Sequence, residues 1–300
     1  MDDKPYADFG VFLKKYFRGK VQKISINAGF TCPNRDGTKG NGGCTYCNNQ
    51  TFSPEYCHTD KSITEQLQEG IGFFGRKYPD MEYLAYFQAY TNTYGDMRSL
   101  HAKYEEALSV HGVVGLIIGT RPDCMSDRLL SYLSELSKKY FVLVEYGIES
   151  TCDETLRRIN RGHTFSDSAD AVMRTANAGV LAGAREMIIS HAERLSQLPL
   201  STLKLHQLQL IRNTRMAYEQ LENPEEFHLF DVDEYIDLVI DFIEHLRPDI
   251  TVERFVSQSP DDLLIAPKWG LKNHEFTARL LKRMLQRNSR QGKMYVPSVL

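Results

Sequence analysis

Residues 113–144 read VVGLIIGTRPDCMSDRLLSYLSELSKKYFVLV. The stretch opens on an apolar run, Val113 to Ile118, and closes on another, Phe141 to Val144. Runs without polar alternation are what a strand buried on both faces needs. Between them Ser126 can cap a helix that carries Leu129, Leu130, Leu133 and Leu136 on one face. Strand, helix and strand in this order predict a crossover unit, two parallel strands joined right-handed.

The same rhythm extends outward. Upstream, residues 6–18 read as an amphipathic leading helix, and Val21, Ile24 and Ile26 as a short strand. Ser62 and Glu65 form a capping box for a helix with Ile63, Leu67, Ile71 and Phe74 on one face. Tyr83 to Phe87 is a further buried strand, followed by a helix bearing Leu100, Tyr104, Ala107 and Leu108. Downstream, Phe165 to Ala178 reads as a helix, and Leu203 and Leu205 mark a later strand. The alternation predicts an α/β fold around a parallel sheet, either open and doubly wound or a closed or partial barrel. Both place ligands beyond the C-terminal ends of the strands.

After about residue 210 the rhythm changes. Residues 219–244 hold ten acidic and no basic residues, yet Tyr235, Leu238, Val239, Phe242 and Leu246 share a face, which predicts an acidic amphipathic helix. Residues 268–293 hold eight Lys or Arg and one acid, Glu275. A solvated basic helix face is the preferred reading over a polyanion contact.

Composition sets the class. At 42% hydrophobic and 25% charged, with a net charge of −3, the 300 residues predict a soluble globular protein with no overall pull toward polyanions. No apolar stretch approaches the ~20 residues that span a bilayer. The acidic start, MDDKPYADFGVFLKKYF, lacks the apolar core of a secretory signal, so no membrane role and a cytoplasmic location are expected.

The six cysteines are clustered: Cys32, Cys44 and Cys47 fall within sixteen residues, and Cys57 follows; Cys124 and Cys152 stand apart. Clustering of this kind reads as metal ligation. The loop is CPNRDGTKGNGGCTYC, with eleven residues between Cys32 and Cys44 and two between Cys44 and Cys47. Its Gly, Asn and Asp residues allow tight wrapping, and backbone N–H groups there can face sulfur. Three sites fit the spacing. One is structural zinc with Cys57 or His58 as fourth ligand; another is a [4Fe–4S] cluster held by four cysteines; the last is a cluster with one iron left open to a chelating ligand.

A three-cysteine loop after the first strand, with Tyr46 just before the third cysteine, resembles the radical S-adenosylmethionine superfamily. The stretches KISINAGFTCPNRDGTKGNGGCTYC, YFQAYTNTY, VVGLIIGTRPDC, VEYGIESTCDETLRRINRGH and DLLIAPKWGLK resemble the bacterial YhcC-type family. That family is related to oxygen-independent coproporphyrinogen oxidase and to the radical-SAM domain of the elongator acetyltransferase. The resemblance runs from residue 23 to 272. It implies a partial (β/α)6 TIM-like barrel over residues 1–210 and an α-rich C-terminal extension over 211–300. It also implies a [4Fe–4S] cluster on Cys32, Cys44 and Cys47 that cleaves S-adenosylmethionine to a 5′-deoxyadenosyl radical. A one-electron donor such as flavodoxin or ferredoxin is implied too; the substrate is left open, with an RNA base the analogy from the elongator kinship.

Further positions follow from the resemblance. Tyr46 packs near the adenine. Gln88, Ala89 and Tyr90 stand where relatives carry a glycine-rich segment that receives the cofactor amino group. Glu145 and Glu149 resemble polar cofactor contacts, including the ribose, with ion pairing to neighbouring bases as the structural alternative. Arg161 resembles an arginine that grips the cofactor carboxylate through its guanidinium fork. Cys124, in RPDC, is the candidate thiol for catalysis; Cys57 and Cys152 read as ordinary. One departure stands out: AGVLAGAREMIISHAERLSQLPL lacks the glycine–proline turn that follows the fifth strand in relatives, and is shorter by about ten residues between Ala184 and Arg185. That shortening motivates a second reading, a cluster-binding protein without cleavage activity. A zinc-stabilised RNA-binding protein using residues 268–293 is the third.

Overall fold

The computed structural model describes residues 4–76, 80–186 and 192–297. Strands and helices alternate along the chain. They run α1 (Phe9–Leu13), β1 (Val21–Ile26), α2 (Ile63–Gly75), β2 (Glu82–Phe87), α3 (Met97–Ser109), β3 (Val113–Thr120), α4 (Asp127–Ser137) and β4 (Phe141–Glu149). Next come α5 (Asp153–Arg158), α6 (Phe165–Asn177), β5 (Leu181–Glu186), α7 (Ala192–Ser196), β6 (Thr202–Leu205) and β7 (Leu210–Ile211). The chain ends with α8 (Arg215–Glu222), α9 (Val232–His245), β8 (Thr251–Arg254), β9 (Leu264–Ala266) and α10 (Asn273–Gln286). The capping box at Ser62 and the Ser126 cap form as their sequences predict.

Seven strands pair in the order β1-β2-β3-β4-β5-β6-β8, all parallel. Laid flat, the two outer strands would stand roughly 29 Å apart, six spacings of about 4.8 Å. Yet Lys23 on β1 meets Glu253 on β8 at 2.5 Å. The sheet is therefore curled into a TIM-like half-barrel, and this ion pair bridges its open side. The seventh strand comes from the segment after residue 210, so that segment completes the barrel as well as packing on it.

Outward-facing residues such as Ile24, Phe87, Leu116, Val144 and Leu203 bury against the helices. Inward-facing Leu84, Tyr86, Ile117, Phe141 and Leu143 fill the barrel, where Phe12 of α1 closes the bottom. The leading helix is only five residues long, shorter than the 6–18 pattern predicts, because Ala7 and Asp8 are drawn into strand-like pairing with Val252 on the β8 edge. Covering that edge removes a row of open backbone groups.

The acidic and basic segments meet each other. Helix α9 buries Tyr235, Ile236, Val239, Ile240 and Ile243 and turns Asp237 and Asp241 toward α10. Arg283 pairs with Asp237 at 2.8 Å, and Arg287 bridges Asp237 and Asp241. Part of the basic run is thus matched within the chain. Among the described residues no helix is long and apolar enough to cross a membrane.

Candidate functional site

At the C-terminal ends of the strands one pocket collects Cys32, Cys44 and Cys47 together with Tyr46, Gln88, Tyr90, Glu145 and Arg161. The cysteine loop is pinned from inside and outside. Asn160 Nδ2 donates to Gly43 O at 2.8 Å, and Thr45 N to Ile159 O at 3.0 Å, so the β4–α6 connection braces the loop. Gly43 has φ of +80°, and a Cβ there would lie 2.9 Å from Arg35 Nε. Arg121, with its guanidinium buried, donates to Arg161 O at 2.7 Å and forks onto Asp123, which also pairs with Lys39 of the loop. Burial works to raise the Asp123 carboxyl, but Arg121 and Lys39 outweigh it and hold it down at about 2.

The sulfurs have N–H donors. Arg161 Nη1 lies 3.5 Å from Cys44 Sγ, Asn34 Nδ2 3.7 Å from the same sulfur, and Asn49 Nδ2 3.6 Å from Cys47 Sγ. Burial and the neighbouring Cys44 push the Cys47 thiol up, with Arg35 opposing them. Arg161 is aimed by three further contacts: it donates to Gly147 O at 2.6 Å, donates to His163 Nε2 at 3.0 Å, and stands 3.6 Å from Glu149. Burial and Arg161 pull His163 down to about 4, so it stays neutral and accepts. Gly147 permits this closeness, since a Cβ there would fall 2.6 Å from both Arg161 Nη2 and Glu149 Oε1.

The two glutamates are engaged with bases. Glu149 is fully buried and bonded by Arg185 Nη2 at 2.6 Å. Burial opposes ionisation of Glu149, but Arg185 and Arg161 outweigh it and keep its carboxyl low. Glu145 accepts from Tyr86 at 2.8 Å and pairs with Lys204. Lys204 also pairs with Glu253 at 3.1 Å, which links this layer to Lys23. Tyr90 and Glu149 both hold positive φ, 63° and 68°, at the ends of β2 and β4. Such backbone costs about 1–3 kcal/mol per residue and collects at ligand sites.

Of the expected cofactor contacts, Ala89 and Glu149 are both buried rather than on the pocket wall. Cys124 is not on the wall either: it lies in the turn after β3, its sulfur near Asp123, and burial with that carboxylate pushes the thiol up to about 12. Cys57 donates to Ser25 O at 2.9 Å, away from the loop sulfurs. Strand β5 runs unbroken through Ala184 and Arg185, paired on both sides. The shortening expected between Ala184 and Arg185 therefore falls within a paired strand; residues 187–191, which follow it, lie outside the described residues.

Sequence reasoning missed Asn34, Arg185, Lys204 and His206. A lysine and a histidine at a buried strand end, in TLKLH, were the available signal. Asn34 carried none beyond its place in the loop.

The donor set suits a cluster. Soft sulfurs with N–H donors on two of them fit an anionic iron–sulfur group. Tyr46 Oη and Glu149 Oε2 are buried without hydrogen-bond partners among the described residues, so polar capacity remains beside the sulfurs. No three His, Cys, Asp or Glu side chains among the described residues gather as they would round a single ion. A cluster with each cysteine on its own iron does not ask for that.

Comparison with known proteins agrees. Residues 35–191 match the Radical SAM superfamily, and residues 200–286 the Radical_SAM C-terminal domain. The uncharacterized protein YtqA of Bacillus subtilis is 33% identical over 98% of this chain and 94% of its own length. Protein YhcC of Escherichia coli K12 is 33% identical over 87% of this chain and 86% of its own. The solved archaeal Elp3 of Methanocaldococcus infernus has the same fold, with a TM-score of 0.67 at 16% identity over 91% of this chain; the chain spans 64% of that protein. On these grounds the chain belongs to the radical SAM superfamily, in the company of YtqA and YhcC.

Proposed function

We propose that this protein is a radical S-adenosylmethionine enzyme in which Cys32, Cys44 and Cys47 hold a [4Fe–4S] cluster. The observation that carries the proposal is that three cysteines of one loop line a single pocket at the strand ends, with amide and guanidinium donors on the sulfurs of Cys44 and Cys47. Bound there, cluster and cofactor supply one-electron cleavage of the S–C5′ bond and hydrogen abstraction from substrate.

The chain's own residues do the rest. Arg161 stabilises charge on Cys44 and is held to that task by Gly147 and His163. Tyr46 brings an aromatic face and a free hydroxyl to the cofactor side. The Gln88–Tyr90 turn offers backbone carbonyls to the amino group. Glu145, anchored by Lys204, presents a fixed carboxylate on the pocket wall, while the buried Glu149 holds Arg185 and Arg161 in place. The filled barrel below excludes water from beneath. A flavodoxin or ferredoxin supplies the electron in a cytoplasmic setting. An RNA base as substrate rests on the elongator-type resemblance alone.

The test is anaerobic reconstitution with iron and sulfide, then dithionite and S-adenosylmethionine, reading 5′-deoxyadenosine. Wild-type protein should release it and Cys44→Ala should not. A stable cluster that binds the cofactor without release would favour a cluster-binding protein. Tightly held zinc with no cluster formed would overturn the assignment.

A further inference from the structure

Strand β8 breaks the alternation of a regular strand. Leu203 pairs with Val252, but the next residue, Lys204, pairs with Arg254, which leaves Glu253 as the extra residue of a β-bulge. A bulge lets two successive side chains reach the same face. Glu253 turns inward to Lys204 and Lys23. Arg254 also finds an inward partner, His206, two residues beyond Lys204 and closer to the pocket mouth.

His206 lines the pocket and is 5% exposed. Arg254 Nε lies 3.2 Å and Nη2 2.6 Å from its Nε2. A guanidinium only donates, so Nε2 must be the bare, accepting nitrogen. The ring of a neutral histidine then carries its proton on Nδ1. That Nδ1 has no partner among the described residues and is not among the buried unpartnered atoms, so it opens to the pocket. Burial and the charges of Arg254, Arg185 and Lys204 all pull the imidazole down, which keeps it neutral.

The charge balance points the same way. Lys23 and Lys204 are matched by Glu145 and Glu253. Arg185 and Arg161 share Glu149, and Arg161 is also turned to the Cys44 sulfur. Among the described side chains Arg254 forms no ion pair within 4 Å and hydrogen-bonds to His206, while the neighbouring Glu253 feels its charge but is paired with Lys204 and Lys23. A half-buried cation set behind a neutral donor leaves this side of the wall positive.

We infer that His206 is a fixed Nδ1–H donor for an anionic oxygen of the substrate, a carboxylate or phosphate, and that Arg254 is the positioning residue that locks its tautomer. The inference rests on the reading that this pocket receives substrate. It deepens that reading by naming a chemical class.

The experiment uses the full chain without cluster and with isotopically labelled histidine nitrogens, so it is independent of deoxyadenosine formation. His206→Gln assigns the signal. In wild-type protein the His206 signals should show a protonated Nδ1 and a bare Nε2, unchanged from roughly pH 5 to 8, where an ordinary imidazole titrates. Acetate and methyl phosphate are then added at constant ionic strength, with chloride as control. Saturable movement of the Nδ1–H signal with either anion supports the assignment, and the tighter of the two identifies the group. Arg254→Gln should release the tautomer lock and weaken that anion by about tenfold, and Arg254→Lys should restore part of it. A proton on Nε2, an imidazolium that titrates in the window, or no response to either anion in wild-type protein would overturn the proposal. Loss of deoxyadenosine activity with these signals intact would sink the radical chemistry and leave the anion site standing.

Discussion

The rim of the pocket takes Cys32, Cys44 and Cys47 from sixteen consecutive residues, whereas the floor takes Lys23, Tyr86, Glu145, Lys204 and Glu253 from five strands. The rim is polar loop held by backbone bonds and by glycines that admit close neighbours. The floor is a buried set of charges held by each other, by the Tyr86 hydroxyl and by the Phe9 and Tyr86 rings. Burial, with the charge of Lys204, pulls the Lys23 ammonium down to about 8 even with Glu253 beside it. The difference teaches that the rim's chemistry is local and its loss should be chemical, while the floor's is collective and its loss should be structural.

The largest expected effect falls on the rim. Cys44→Ala should abolish cluster retention after reconstitution, with Cys152→Ala unchanged; iron and sulfide content reads this directly. Equal iron in both variants would break the distinction between rim and the remaining cysteines.

The next effect falls on the floor. Lys204→Met leaves Glu145 and Glu253 to share Lys23 in a buried site. Breaking such a network costs about 3–5 kcal/mol. Urea unfolding should show that loss, while the surviving folded fraction keeps wild-type iron per chain. A stable Lys204→Met protein without a cluster would reverse the division of labour.

The brace between the two regions sharpens it further. The Asp123 carboxyl is held at about 2 against an ordinary 3.8. A depressed folded-state value contributes stability above the unfolded value, and that contribution is lost as pH falls through the folded one. Wild-type protein should therefore lose about 2 kcal/mol between roughly pH 4 and pH 2 from this group. Asp123→Asn should remove that slope and weaken cluster retention without touching a cysteine. An unchanged acid profile in the variant would show that the brace does not hold the rim.

The smallest effect lies outside both. Arg287→Ala removes half-exposed pairs with Asp237 and Asp241 and should cost under about 1 kcal/mol, vanishing at high salt. It is the control against which the floor's loss stands out.

Much of this arrangement was legible in the residues. Apolar runs such as Val113–Ile118 and caps such as Ser126 fix their own local structure, because burial pattern and hydrogen-bonding capacity are carried within a dozen residues. The cysteine clustering likewise marks a metal loop within sixteen residues, although its spacing fits zinc as well as iron and the family resemblance makes the choice. The acidic and basic runs were each visible, but that Asp237 would meet Arg283 was not, since each helix pattern describes only its own faces.

What sequence determined by itself is the parallel α/β alternation, its family resemblance, and the sulfur-bearing loop. Tertiary structure alone decided that β1 and β8 curl to within an ion pair of each other, that Arg185 answers Glu149, and that a bulge turns Glu253 and Arg254 inward together. The reason is physical. Periodicity reports which face of a strand is buried, but a charge is stable in that interior only beside a partner from another strand. Pairing register and bulge position, which choose the partner, exist only once the sheet has closed.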